Sequence, residues 1–203
     1  MADVALVCGG RGALGSAIVE ALRDRGDEVV LADKDDVDLT DAEAVEKFWD
    51  GLERTPRWLV NAAGGYRTGT VADSEPGDLE FLAELNVATA WWSCRAAGRR
   101  MREGDAILNV GARPALMGGA GSAAYAVSKA AVVRLTEVLA LELAERRVRV
   151  NAILPSVIDT PSNREHGITG GVPPAQLASV VSFLLSDAAA AVSGAVVPVY
   201  GFA

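Results

Sequence analysis

The chain has 203 residues, half of them apolar and 23% charged, which suits one sizeable hydrophobic core and excludes a disordered polypeptide. Lysine and arginine total 19 against 27 acids, a net charge of −8. That balance argues against nucleic acid as a partner, because affinity for phosphate backbones is built on clustered positive charge.

In chain order, short runs rich in Val, Ile and Leu alternate with longer segments of helical spacing. A strand Val4–Cys8 leads through Gly9-Gly10-Arg11-Gly12-Ala13-Leu14-Gly15 into a helix over residues 13–25. A second strand, Glu28–Ala32, is followed by a helix over 41–52 and a third strand, Trp58–Asn61. Then come a long helix over 78–102, a strand Ala106–Val110, a helix over 124–145 and a strand over 148–154. A helix Pro174–Leu185 and a strand over 195–199 complete the series. Several strand runs are apolar at every position rather than alternate ones, which requires burial on both faces and so a parallel sheet covered by helices. The expected fold class is therefore α/β, a single Rossmann-type doubly wound sheet spanning 1–203. Only Asp33–Val37 separates the second strand from Asp38-Leu39-Thr40, too little for a parallel crossover, which needs a dozen residues or more. The usual third strand and its helix are expected to be missing.

The uncharged stretch 188–203 is broken by Gly194, Pro198 and Gly201, so no membrane partner is expected. The N-terminus lacks a basic region and a cleavage site, and Cys8 and Cys94 lie far apart in apolar segments. These features predict a cytoplasmic chain without disulfides.

The glycine string follows a strand and opens a helix. Glycines there let the backbone approach phosphate oxygens, and the helix N-terminus offers unpaired N–H groups. Asp33 lies 18 residues after Gly15, close to the roughly 20 expected of an acid that binds ribose hydroxyls. A carboxylate there repels a 2′-phosphate and favours NAD; Arg11 and Lys34, either of which can reach a phosphate, keep NADP open. Tyr125-Ala126-Val127-Ser128-Lys129 places a phenol and an ammonium one helical turn apart. The ammonium is expected to lower the phenol's pKa so that it exchanges a proton during hydride transfer.

These motifs occur in a set order with Asn61-Ala62-Ala63-Gly64, Asn86-Val87 and Pro155-Ser156-Val157-Ile158-Asp159-Thr160. Over essentially its whole length the chain resembles the short-chain dehydrogenase/reductase family. The resemblance implies a dinucleotide held by Gly9, Arg11, Gly12, Leu14 and Gly15, by Asp33, and by Asp38 and Leu39 at the adenine. It also implies that Asn61, Ala62, Ala63 and Gly64 pack beside the adenine-side ribose. Tyr125 would be the acid/base, Lys129 would bind the nicotinamide ribose and tune the tyrosine, and Asn86 would sustain a proton relay. Pro155, Ile158 and Thr160 would hold the carboxamide.

Four departures stand out. Ala13 replaces the second glycine and Ser156 the glycine after Pro155. The substrate loop is minimal, about a dozen residues over 161–172. The family's catalytic serine, thirteen residues before the tyrosine, is Ala112. Its loss removes a donor worth a few kcal/mol in a transition state, which disfavours ordinary alcohol/ketone chemistry. Together with Ala63-Gly64-Gly65-Tyr66, Gly111-Ala112-Arg113-Pro114-Ala115-Leu116 and Asp159-Thr160-Pro161, the pattern is similar to the quinonoid dihydropteridine reductase branch. That branch also lacks the serine, and its electron-poor substrate accepts hydride without strong carbonyl polarisation. A dinucleotide-binding protein without turnover is the alternative from another class.

Other residues divide between readings. Tyr66 either stacks on a planar substrate or caps its loop. Ser122, close to Tyr125, either substitutes for the lost hydroxyl or caps the helix, and Ser128 is a weaker candidate. Arg113 either attracts an anion or is solvated. His166, the sole histidine, reads as a solvated loop residue, and no metal site is expected. Trp91, Trp92, Phe81, Leu82 and Leu85, with Val138, Leu139 and Leu141, make two helices apolar beyond one stripe. That favours a homodimer or homotetramer acting on a small-molecule substrate.

Overall fold

The computed structural model describes residues 2–202. Six parallel strands, β1 (Val4–Cys8), β2 (Glu28–Ala32), β3 (Trp58–Asn61), β4 (Ala106–Val110), β5 (Arg149–Pro155) and β6 (Val196–Val199), form one sheet in the order β2-β1-β3-β4-β5-β6. The central strands β1, β3, β4 and β5 are buried at every position, as their largely apolar runs lead one to expect, with Asn61, Asn109, Arg149 and Asn151 as the polar exceptions. The edge strand β2 is half-buried, and no strand intervenes between it and α2. The narrowed sheet edge expected from the short 33–37 connection is present.

Alternation along β1 divides the core. Ala5 and Val7 face a layer built on helices α1 (Ala13–Asp24) and α7 (Pro174–Leu185). Leu6 and Cys8 face the layer of α2 (Ala42–Asp50), α4 (Thr89–Arg100) and α5 (Ala123–Glu142). Local chemistry sets the ends of these helices. The Asp41 carboxylate accepts from the Glu43 and Ala44 amides to start α2, and Gly51 follows its last residue. Pro174 opens α7 with its backbone angle already helical.

The segment expected as one helix over 78–102 is instead α3 (Asp78–Leu82), a π-helical turn (Ala83–Ala88) and α4. A single inserted residue relaxes the i→i−4 ladder there, and the Thr89 hydroxyl donates to the Leu85 carbonyl at 2.8 Å. The substrate loop also holds a short helix that was not expected, α6 (Pro161–Glu165), capped by the Thr160 hydroxyl. Among the described residues no helix is long and apolar enough to cross a membrane.

A buried polar ladder ties three elements together beneath the C-terminal ends of the strands. The Asn61 amide donates to Asn109 Oδ1 at 2.8 Å, and Asn109 Nδ2 donates to the Thr136 hydroxyl at 2.9 Å. Thr136 and Asn109 are fully buried, so removing one partner leaves the other without water as a substitute. Thr136→Val, which keeps the volume and deletes the hydroxyl, should lower the urea-unfolding free energy by about 1–3 kcal/mol. An unchanged midpoint and slope would show that Asn109 finds another partner.

Candidate functional site

The order β2-β1-β3 reverses the direction of winding between β1 and β3, and a groove opens there across the C-terminal ends of the strands. Two cavities share Ala62 and Gly64 and together form it. One, of about 610 Å³, lies over the glycine loop and the end of β2. The other, of about 590 Å³, lies over the ends of β4 and β5.

The glycine loop is shaped by contacts that no side chain could survive. Gly9 has φ +79°, and a Cβ there would lie 2.5 Å from the Ala63 amide nitrogen; one on Gly15 would lie 2.0 Å from the Gly9 carbonyl oxygen. Gly12 precedes α1 without a side-chain cap, and the first turn carries no acid. The start of this helix therefore keeps unpaired N–H donors and positive dipole for an anion. Ala13 in place of a glycine is exposed.

Arg11, Gly12, Asp33, Asp38 and Leu39 line the first cavity, with Gly9 and the Ala62–Gly64 backbone as its other wall. The Asp33 carboxylate accepts from the Arg11 amide at 3.1 Å and pairs with its guanidinium at 3.3 Å. The same guanidinium clamps Asp36, whose carboxyl it holds below the ordinary range by hydrogen bonding. Asp38 is held low by accepting from the Thr40 hydroxyl and amide. Leu14, Tyr125, Lys129, Pro155, Ile158 and Thr160 line the second cavity. The Ile158 carbonyl accepts from Thr160 and Asn163, while its amide N–H takes no part in the bonds that fold this segment. Gly15 and Asn61 do not reach the groove: both are buried, Gly15 beneath its loop and Asn61 in the ladder.

Asn86 sits in the π-helical turn and is fully spent on structure. Its Oδ1 accepts from the Gly65 amide at 2.9 Å, and its Nδ2 faces the Gly65 carbonyl at 3.1 Å and the Ser128 hydroxyl at 3.0 Å. Ser128 in turn donates to the Tyr125 carbonyl. The side chain thus clamps the Gly64-Gly65 turn to the first turn of α5. Gly64 is where the parts meet: a Cβ on it would lie 2.5 Å from Asn86 Oδ1 and 3.2 Å from Lys129 Nζ.

Lys129 is buried, and its ammonium donates to the Val110 carbonyl at 3.0 Å. Burial lowers its pKa to about 8. Contrary to the sequence-based expectation, Tyr125 is not lowered. Burial, reinforced by Tyr66, pushes the phenol up to about 12. The ammonium's hydrogen bond goes to the strand carbonyl and not to the phenol, so desolvation wins. Tyr66 is 60% exposed and meets Tyr125 edge-to-face with ring centroids 4.8 Å apart, a contact that neither sequence reading anticipated. Ser122 precedes α5 as expected of a cap, but its hydroxyl makes no capping bond. Ala112 is buried in the wall of the second cavity. Arg113 is not simply solvated: it is half-buried with its guanidinium 5.2 Å from the centre of the Tyr200 ring. His166 is exposed and bonds only the Ser162 carbonyl. Tyr200, 87 residues from its partner, carries no motif that would have marked it.

The fold and groove define a Rossmann-like α/β protein with a nucleotide-sized cleft at its topological switch point. Residues 36–201 match the family model described as enoyl-(acyl carrier protein) reductase, and the chain belongs to the short-chain dehydrogenase/reductase family of oxidoreductases. The galactitol 2-dehydrogenase of Rhizobium johnstonii is 32% identical over 96% of this chain and 92% of its own length. Carbonyl reductase family member 4 of Danio rerio is 29% identical, with 92% of each chain covered. The ligand-free aldohexose dehydrogenase of Thermoplasma acidophilum superposes with a TM-score of 0.88 at 25% identity, covering 98% of this chain and 93% of that one. Enzymes of this family are generally NAD(P)-dependent, and the uncapped α1 and the glycine cradle fit such a dinucleotide.

The buried lysine makes stability depend on pH in a defined sense. Unfolded, its pKa is about 10.4. Between pH values near 8 and 10 the unfolded chain therefore holds a proton that the folded chain has released, and the Lys129 contribution to stability rises with pH. Cys8, Cys94 and Tyr125, held protonated to about 12, act in the opposite sense at higher pH. A difference isolates the lysine. The unfolding free energy of wild type minus that of Lys129→Met should climb by up to about 1.4 kcal/mol per pH unit above pH 8. A flat difference would mean that burial does not disfavour this ammonium.

Proposed function

We propose that the chain reduces an activated, electron-poor carbonyl or quinonoid group, with Tyr125 as proton donor and NAD as the favoured dinucleotide. The observation that carries this reading is the meeting of Tyr125, Lys129 and the Asn86-clamped Gly64-Gly65 turn on the groove that continues over the glycine loop. Gly9, Gly12, Leu14 and the Ala62–Gly64 backbone would hold the dinucleotide, Asp33 its adenosine ribose, and Ile158 with Thr160 its carboxamide. When bound, the nicotinamide supplies or accepts the hydride. A phenol held at about 12 stays protonated at neutral pH, which suits it to give a proton to a nascent oxyanion or nitrogen anion. Lys129 follows one turn later on α5 and anchors that turn to β4 through Val110. Asn86 positions the turn opposite, its side chain saturated, so any relay through it would run along its backbone carbonyl.

Ala112 supports an activated substrate, since position 112 in the wall of this cavity offers no hydroxyl to polarise a simple ketone. A dihydropteridine reductase-like activity is the second reading, favoured by Ala112 and by the exposed Tyr66 ring at the mouth, which can stack on a planar heterocycle. A third reading, a dinucleotide-binding protein without turnover, draws on the unlowered phenol.

One panel separates these readings. With 9,10-phenanthrenequinone as acceptor, wild type should oxidise NADH in preference to NADPH. Tyr125→Phe should lose at least about a hundredfold in kcat while the Kd for NADH moves less than twofold. Ala112→Ser should raise kcat/KM for the unactivated ketone acetophenone by about tenfold or more. Turnover that survives Tyr125→Phe sinks the proton-donor role, and NADH binding without oxidation of the quinone or of quinonoid dihydropterin supports the third reading.

We also propose a cytoplasmic homo-oligomer. Trp91 on α4 is 49% exposed and Leu141 on α5 is 79% exposed, with Val138 one turn before it, as expected of apolar faces that a second copy covers. Light scattering should return a dimer or tetramer mass, and a monomer at micromolar concentration would overturn the assignment.

A further inference from the structure

The second cavity has an unusual charge. Although acids outnumber bases in the chain, no aspartate or glutamate lines this cavity, and its only charged side chains are Lys129 and Arg113. Lys129 is already committed to the Val110 carbonyl. Arg113 is different. Among the described residues, six arginines are partly or fully buried: Arg25, Arg57, Arg95, Arg100, Arg113 and Arg149. Five of them hold carboxylates or backbone carbonyls at hydrogen-bond distance. The Arg113 side chain makes neither an ion pair nor a hydrogen bond with any described residue, and its one aromatic contact is the Tyr200 ring.

That contact has a consequence. A cation over a ring is held by the ring's quadrupole without using its N–H groups, so the donors of Arg113 stay available to a ligand. The Tyr200 carbonyl accepts from the hydroxyl of Ser156, which lines the same cavity, so the backbone that carries the ring is tied to this site. A guanidinium on a partly buried residue, unpaired and resting on a ring, suits bidentate recognition of a carboxylate. Its place in the chain adds to the argument. Arg113 directly follows Ala112, where the wall has lost the donor that would orient a substrate oxygen.

Resting on the reductase reading above, we infer that Arg113, braced by Tyr200, is the substrate-recognition residue of the second cavity, and that the substrate carries a carboxylate beside its reducible group. The anion compensates the unpaired charge and supplies the orientation that Ala112 does not. Neutral ketones and uncharged ring substrates leave the guanidinium unmatched.

The test uses phenylglyoxylate and its methyl ester, a pair with the same activated ketone that differ in the charge. Titrated into the wild-type complex with NAD, where no reduction can occur, the acid should bind at least tenfold more tightly than the ester. Arg113→Gln should abolish that preference while NAD affinity and the thermal midpoint stay put. Arg113→Lys, which keeps the charge but not the fork, should retain part of it. The inference is overturned if wild type binds the two alike, if neither binds, or if Arg113→Gln weakens both equally. Its failure is distinguishable from that of the reductase reading. Arginine-dependent binding of the acid without Tyr125-dependent NADH oxidation leaves the anion site standing and removes the reductase. Tyr125-dependent reduction of the ester with no preference for the acid does the reverse.

Discussion

The site depends on how α5 is fastened to β4. Two bonds made seven residues apart on one face of the helix do this: Lys129 donates to the Val110 carbonyl, and Thr136 accepts from Asn109. Two turns of helix are thereby matched to two consecutive strand residues, which sets both the rotation and the height of α5 above the sheet. Tyr125, one turn before Lys129, then falls on the groove side of the same face. Slipping the helix by one residue would strand a buried ammonium and a buried amide together, a far larger cost than losing either contact at the surface. The strength of the constraint comes from what would be left unpaired, more than from the bonds made.

The same logic explains the π-helical turn. Asn86 must reach the Gly65 backbone on one side and Ser128 on the other, and an unbroken α-helix from Asp78 would rotate it away from one of them. An extra residue in the ladder resolves the conflict. Nothing in the local periodicity of residues 78–102 marks that insertion, because its cause lies about twenty residues earlier and forty later. Strands and motif order were legible for the opposite reason. The apolar run of β1 and the nearly apolar runs of β3 and β4 reflect burial on both faces, a property each segment carries by itself, and the five-residue gap after Ala32 is a length limit that no tertiary contact can evade. The phenol's environment was not legible. The i,i+4 spacing brings Tyr125 and Lys129 to one face, but which acceptor the ammonium chooses, and how much water the phenol loses, depend on β4 and on Tyr66.

The groove is also electrically divided. At the glycine-loop end Asp33, Asp35 and Asp38 line its wall, and Asp36 stands just behind them, with Arg11 drawn across Asp33 and Asp36. These exposed pairs contribute little to stability, but they hold the Asp33 carboxylate facing the cleft, where a ribose diol can donate to it. At the other end the lining is uncharged except for a spent lysine and an unspent arginine. A single elongated molecule with a neutral, hydroxyl-rich end and an anionic middle suits the first half and the α1 N-terminus. The second half is left seeking a separate anion.

The loss of the hydroxyl at position 112 and the idle charge at position 113 are therefore best understood together. A serine donor polarises a carbonyl and also fixes where its oxygen lies, and those two roles can be separated chemically. An electron-poor acceptor needs little polarisation, because its own substituents lower the barrier to hydride addition, but it still needs a fixed orientation. Orientation can come from a charge-assisted contact elsewhere on the substrate, and such a contact is about twice as strong as a neutral hydrogen bond and more directional when bidentate. Arg113, clamped by Tyr200 and lacking an acid, has the chemistry to provide it. On this argument Ala112 marks a change in where the substrate would be held, and the phenol proposed as proton donor need not move at all.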